Sequence, residues 1–431
     1  MPSSHSLDRV EVSFDDAHSV ANAGLILPAT LAAHLGIEQA ANQVVDLGGR
    51  PGYFQPGAKV MTFLHALIAG AECIDDADVL RSGSTSSVLG HRVLAPSTLG
   101  TFLRSFSFGH VRQLDRLSEI AMTRAWAAGA GPGGGPMTMD IDSTICGVHG
   151  HAKQGAAYGD TKVLGYHPLL ATRAQTGEVL HVRMRKGSAN TGRGAERFVN
   201  ELVGRVRRAG ATGQLTLRGD CGFWSEHVTG ACRRHRVRFS ITVRQTTRVR
   251  AAIEAIAETA WVEIEYSPDA VAQVAETVLG DDRLIVRRVR NLDDQGELFF
   301  DWRFHAFVTD RPGDLFELEA DHRDHAVVEL AIRDLKEGSG LRHCPSGRFH
   351  ANGAWLVLTA VAHNLVRWVA SLGLGLRTPL VIKTQRRRLI TLPGRWTTSA
   401  RRSRLSLPQD WPWEEEFMAA LGRLRTLPFA A

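Results

Sequence analysis

The 431-residue chain is poor in cysteine, tyrosine and lysine, with only five, four and six of each. Five cysteines cannot staple a secreted scaffold of this size, and they fit a reducing cytoplasm. Residues 1–16, MPSSHSLDRVEVSFDD, have no apolar core behind a basic start, so no signal peptide is expected. Long apolar runs are also lacking. The best of them, 354–376, is interrupted by His363, Asn364 and Arg367, each costly at a bilayer centre, which predicts a buried core helix and no membrane partner. No solenoid-type repeat is present. What is abundant is apolar residue (44%) and arginine, 45 of the 51 basic side chains. The first predicts a globular chain of two or three domains. The second is ambiguous, because guanidinium grips phosphate in two places but high-GC genomes also exchange lysine codons for arginine codons.

The formal charge of +6 is unevenly placed. Residues 1–130 hold nine basic against twelve acidic side chains, whereas 380–431 hold ten against four. Seven arginines lie between Arg386 and Arg404, among them Arg387, Arg388, Arg401 and Arg402, interleaved with Trp396 and a strand-like Leu389–Leu392. A solvated charge run is the plain interpretation; a DNA-tracking surface is the one favoured here. A second basic cluster runs from Arg233 to Arg250.

Residues 1–130 are expected to form a helical domain. Within it, Ala95–Arg104 suits either the second helix of a helix-turn-helix or an ordinary core helix. Residues 129–136, GAGPGGGP, cannot support a helix or strand interior and mark a linker. Beyond it, 137–144 alternates like a half-buried strand, Tyr166–Ala174 and Val179–Arg185 form a hairpin, and helices at 194–208 and 225–235 alternate with strands at 215–217 and 237–243. Three strands, helix, strand, helix, strand is the ribonuclease H-like order. The expected fold class is therefore α/β: a ribonuclease H-like mixed sheet (131–243 and 304–379), a β-rich insertion at 244–303, a helical N-terminal domain and a basic segment at 380–431. Insertion strands are expected at 261–266, 274–279, 284–289 and 298–302. Helical periodicity returns at 314–337 and 351–372.

In that order Asp142 ends the first strand, Asp220 ends the fourth, and Glu329 sits on the long helix after the insertion. On a regular helix His322, His325, Arg333 and Lys336 fall within about 40 degrees of Glu329, with Val327 and Ala331 roughly opposite. Carboxylates on adjoining elements suit phosphoryl transfer, since they can hold two Mg²⁺ ions through oxygen. Asp140, two residues before Asp142, projects from the same face and is an alternative ligand. Cys146, His149 and His151 lack the second pair a zinc finger needs, and Cys221 lacks the partners of a nucleophile. Trp261 and Trp302 could stack on a flipped base or serve as buried sheet aromatics.

Five segments together resemble the DDE transposases of bacterial insertion sequences, the group numbered thirteen-eighty. They are MDIDST (139–144), GVHGHAKQGAAYGDTKVLGYHPLL (147–170), LRGDCGF (217–223), HRDHAVVELAIRDLKEG (322–338) and FHANGAWL (349–356). The resemblance implies cut-and-paste transposition with Asp142, Asp220 and Glu329 as the metal-binding triad. Two Mg²⁺ ions are the implied cofactors, with Mn²⁺ able to substitute. Double-stranded DNA, both transposon ends and target, is the implied partner, bound by a homodimer in the bacterial cytoplasm. Where many relatives carry Tyr and Arg seven and four residues before the Glu, this chain has His322 and His325; the Lys seven residues after it is retained as Lys336. A non-catalytic DNA-binding remnant or repressor, and a structure-specific nuclease on the same core, are the alternatives.

Overall fold

The computed structural model describes residues 10–150, 152–159, 161–291, 302–378 and 380–430. At its centre is a nine-stranded mixed sheet built from β1 (Met137–Ser143), β2 (Leu169–Arg173), β3 (Val179–Arg183), β4 (Leu215–Gly219), β5 (Arg238–Thr242), β6 (Val262–Ser267), β7 (Ala270–Leu279), β8 (Asp282–Asn291) and β9 (Arg303–Thr309). Its spatial order is β6-β7-β8-β9-β5-β4-β1-β2-β3. Only β1–β4 and β4–β5 are parallel. Each of those two connections to a parallel strand runs through a helix, as a parallel pair requires. The β3–β4 link carries α3 (Ala195–Arg208), and the β4–β5 link carries α4 (Glu226–Arg234). Helix α3 buries Phe198, Val199, Leu202, Val203 and Val206, one apolar stripe at helical spacing. Ser225 caps α4 by accepting from the Val228 amide.

The β-rich insertion does not stand apart as a module. Strand β9 pairs with β8 on one side and β5 on the other, so β6–β8 extend the central sheet rather than form a second one. A small satellite core of Val274, Ile285, Phe307 and Leu318 lies under this extension. Most of the strand expected at 298–302 falls outside the described residues.

Nor does the N-terminal helical region have a core of its own. Residues of α1 (Pro56–Ala69) and α2 (Phe108–Ala125) belong to one continuous apolar core with α7 (Phe349–Trp368) and the sheet. Phe63 and Trp355, for example, meet edge to face at 6.0 Å. Helix α7 with its continuation to Gly373 is long and apolar enough to cross a membrane, yet 89% of that window is buried inside the protein. Two of the polar residues that interrupt it serve the β2–β3 turn: the Asn364 amide bonds both the N–H and the C=O of Val179, and His363 Nε2 bonds Gly177 O at 2.9 Å, whereas Arg367 pairs with Asp334 at 2.6 Å.

The two ends of the chain are paired. Ser19–Val20 forms a short antiparallel ladder with Gly394–Arg395, the start of an exposed hairpin of Gly394–Ser399 and Arg402–Ser406. The strand expected at 389–392 is instead a wide helical turn, Arg386–Ile390, that buries Leu389 and Ile390.

Candidate active site

Strand pairing brings the first two acids together. Ile141 of β1 lies opposite Gly219 of the parallel strand β4, so Asp142 and Asp220, the residues that follow, emerge at the same sheet edge. Glu329 lies in the first turn of α6 (Val327–Gly338), which packs against β1. Asp142 and Glu329 line one cleft of about 660 Å³ together with Arg333, Lys336 and Arg342. Asp142 Oδ1 accepts from the Ser143 amide at 2.6 Å, and Asp220 Oδ1 from the Gly222 amide at 2.9 Å. Burial, reinforced by the negative fields of Asp220 and Glu329 and opposed by the Ser143 amide and His325, pushes the Asp142 pKa up to about 6. Among the described residues no three His, Cys, Asp or Glu side chains stand close enough to form a ready-made metal cage.

Asp140 is committed elsewhere. It is fully buried, clasped by Arg218 Nε at 2.7 Å and Nη2 at 3.0 Å, and bonded to His325 Nδ1 at 3.0 Å. Arg218 also reaches the backbone carbonyl of Asp321, so this one guanidinium ties β1, β4 and the helix before α6 together. Sequence reasoning passed over Arg218; its position two residues before Asp220 on an alternating strand was the available signal.

The sequence matches a family described as "Transposase DDE domain group 1" over residues 3–429. The chain belongs to that family. Among solved structures, this transposase is similar to that titled "Cryo-EM structure of piggyBac transposase synaptic complex with hairpin DNA (SNHP)", with a TM-score of 0.46 and 13% identity, covering 86% of this chain and 79% of that one. No curated protein matches it.

Several side chains expected to contact DNA have other partners in the transposase. His322 lies on α5 (Leu315–Arg323), stacked on Phe307 at 3.9 Å and bonded to the Ser240 and Thr242 hydroxyls. Burial holds its pKa well below the usual histidine value, so it is neutral and carries no charge for a phosphate. His325 is taken by Asp140. The cause is a break in the helix: Asp324–Ala326 is a 3₁₀ turn between α5 and α6, which rotates His322 away from the Glu329 face. Within α6 itself Val327 and Leu330 are exposed, while Val328, Ala331, Ile332 and Leu335 face inward, so Val327 does not join Ala331 on the packed side as expected. Arg333 stays exposed in the cleft, and Lys336 lines it while donating to Ile145 O at 2.9 Å.

Arg386 is a structural residue. Its guanidinium binds the carbonyls of Leu67, Ile68 and Gly338, closing the C-terminal ends of α1 and α6. Arg388 lies over the Trp413 ring at 5.3 Å, whereas Arg387 is exposed and Arg401 and Arg402 project from the hairpin. Trp261 is 9% exposed, and Arg288 lies over it at 4.3 Å and over Trp302 at 4.5 Å, so one guanidinium stacks on both rings. Cys146 is buried in the cleft wall and shares a hydrogen bond with Cys344; His151 falls outside the described residues.

Proposed function

We propose that this transposase performs Mg²⁺-dependent cut-and-paste transposition of a bacterial insertion sequence, with Asp142, Asp220 and Glu329 as its catalytic and metal-binding triad. The observation that carries this reading is the placement of Asp142 and Asp220 at neighbouring strand ends and of Glu329 in one cleft with Asp142, with the charges of Asp220 and Glu329 adding to burial in raising the Asp142 pKa. The order and directions of β3-β2-β1-β4-β5 support a ribonuclease H-like core with the acids at one edge.

The donor set fits a hard cation. All three side chains offer carboxylate oxygen, and a positive charge near Asp142 would offset the burial and the negative fields of Asp220 and Glu329 that raise its pKa. Two Mg²⁺ ions held there would supply an activated water or 3′-hydroxyl and stabilise the leaving oxygen. Asp142 rather than Asp140 belongs to the set, because both Asp140 oxygens are occupied by Arg218. Arg333, Lys336 and Arg342 place positive charge on the same cleft and would hold the phosphates that flank the scissile bond. Arg387, Arg401 and Arg402 extend the DNA surface. Joining two transposon ends to a target calls for two copies of the chain, and a homodimer is the assembly we propose.

The test uses the terminal repeats that flank the gene as substrate. Asp142→Ala, Asp220→Ala and Glu329→Ala should each abolish strand cleavage in Mg²⁺ or Mn²⁺ while end binding survives. Full cleavage by all three variants would refute the triad. A wild-type chain that binds ends but never nicks them is a remnant or repressor, and one that cuts without joining a 3′-hydroxyl to target DNA is a nuclease.

A further inference from the structure

Asp142 is not held by its own strand alone. Its Oδ1 accepts from the Ser143 amide, so the direction of its carboxylate depends on how the Ser143 peptide is held. The Ser143 hydroxyl is 2.9 Å from His167 Nε2 and 3.4 Å from the Thr191 hydroxyl. His167 is fixed in turn. Its Nδ1 lies 2.6 Å from the carbonyl of Ala189, its backbone N–H donates to Arg185 O, and its carbonyl accepts from Arg185 Nε at 2.8 Å.

These contacts assign the proton. A carbonyl only accepts, so Nδ1 carries a hydrogen, and in the singly protonated ring Nε2 is then the acceptor. Ser143 therefore donates its hydroxyl hydrogen to His167, which leaves its oxygen to accept from Thr191. The result is a one-way relay from Thr191 through Ser143 and His167 to Ala189. Arg185 also clamps the far end, donating to the carbonyls of Asn190, Thr191 and Arg193. Sheet register places the two partners together: Ser143 pairs with Leu169, and the Thr144 amide donates to Pro168 O, the residue after His167.

We infer that His167 is a positioning residue for Asp142, holding Ser143 so that the carboxylate is presented to a divalent cation in the cleft. This rests on the triad reading above. A side chain that orients a metal ligand from behind typically contributes 10–100-fold in affinity or activity when removed.

The probe is Mn²⁺ alone, titrated into the full chain by calorimetry, alongside single-turnover cleavage of the terminal repeats. His167→Ala and Ser143→Ala should each weaken Mn²⁺ binding roughly 10–100-fold, with repeat binding unchanged. The double variant should be no weaker than the worse single one, because both break the same relay. His167→Gln, whose amide oxygen can accept from Ser143, should recover most of the loss. Should His167→Ala fail to fold, Ser143→Ala and His167→Gln decide the matter. Wild-type Mn²⁺ affinity in Ser143→Ala, or additive losses in the double variant, overturns the inference. Asp142→Asn separates the two levels: if it loses Mn²⁺ while the Ser143 and His167 variants keep it, only the relay falls. A wild-type chain that binds no Mn²⁺ overturns both.

Discussion

Glu178 offers the sharpest test of how the core is held. It is 1% exposed in the β2–β3 turn, and it accepts from the indole N–H of Trp126 at 2.8 Å and of Trp368 at 2.9 Å. It thus joins the end of α2, the sheet and α7 at one carboxylate. Burial outweighs the opposing effects of Arg173 and the two indoles and pushes its pKa up to about 7 from 4.5. Between pH 4.5 and 7 the folded chain therefore holds a proton that the unfolded chain has released, so stability falls as pH rises through this window and is flat below it. At about 1.4 kcal/mol per pKa unit the full shift amounts to roughly 3 kcal/mol. With an unfolding entropy of about 2.1 cal/mol/K per residue, that is roughly 4 °C in Tm for a chain of this length. Glu178→Gln cannot titrate, so the difference in Tm between the wild type and this variant should move by that amount between pH 4.5 and 8, the wild type losing. Differential scanning fluorimetry on both chains measures it, and intrinsic tryptophan emission should shift over the same range as the indoles meet a charged acceptor. A constant Tm difference across the window, or one that moves in the wild type's favour as pH rises, would refute the assignment.

Other outcomes follow from the same structure. Arg218→Ala leaves the Asp140 carboxylate buried without its guanidinium and should cost about 3–5 kcal/mol in urea unfolding; a cost below about 1 kcal/mol would show that the pair is not the anchor described. Replacing Arg401 and Arg402 together should flatten the salt dependence of end binding by roughly 0.9 in log–log slope for each phosphate that is no longer neutralised, with Tm unchanged. Arg386→Ala should do the reverse, lowering Tm while leaving the salt slope intact; a flattened slope instead would return Arg386 to the DNA surface. Trp261→Ala should destabilise the β6–β9 extension without weakening end binding, and selective loss of binding would restore the base-stacking role.

What the sequence revealed and what it hid divide along physical lines. Alternation in 137–143 and the apolar stripe of α3 are local periodicities, and both elements appear within a residue or two of the expected bounds. The path of the insertion was not legible, because the pairing of β9 with both β8 and β5 is a non-local choice that no window along the chain contains. The Glu329 face was misjudged because a single regular helix was assumed across 322–336, and three residues of tighter turn are enough to re-aim His322. Arg386 and Arg387 are neighbours in one charge run; only the carbonyls of Leu67, Ile68 and Gly338 distinguish the half-buried one. The link from His167 to Ser143 joins residues 24 apart through side chains that composition and spacing treat as ordinary.

The ladder between Ser19–Val20 and Gly394–Arg395 has a consequence for the chain during its synthesis. At roughly 5–20 residues per second, the second half of that pairing emerges about 20–75 s after the first. Until then the outer strand of the N-terminal region has no partner, and the α1 end that Arg386 closes remains open. This pairing and the closure of α1 by Arg386 can therefore form only once the C-terminal segment has been made.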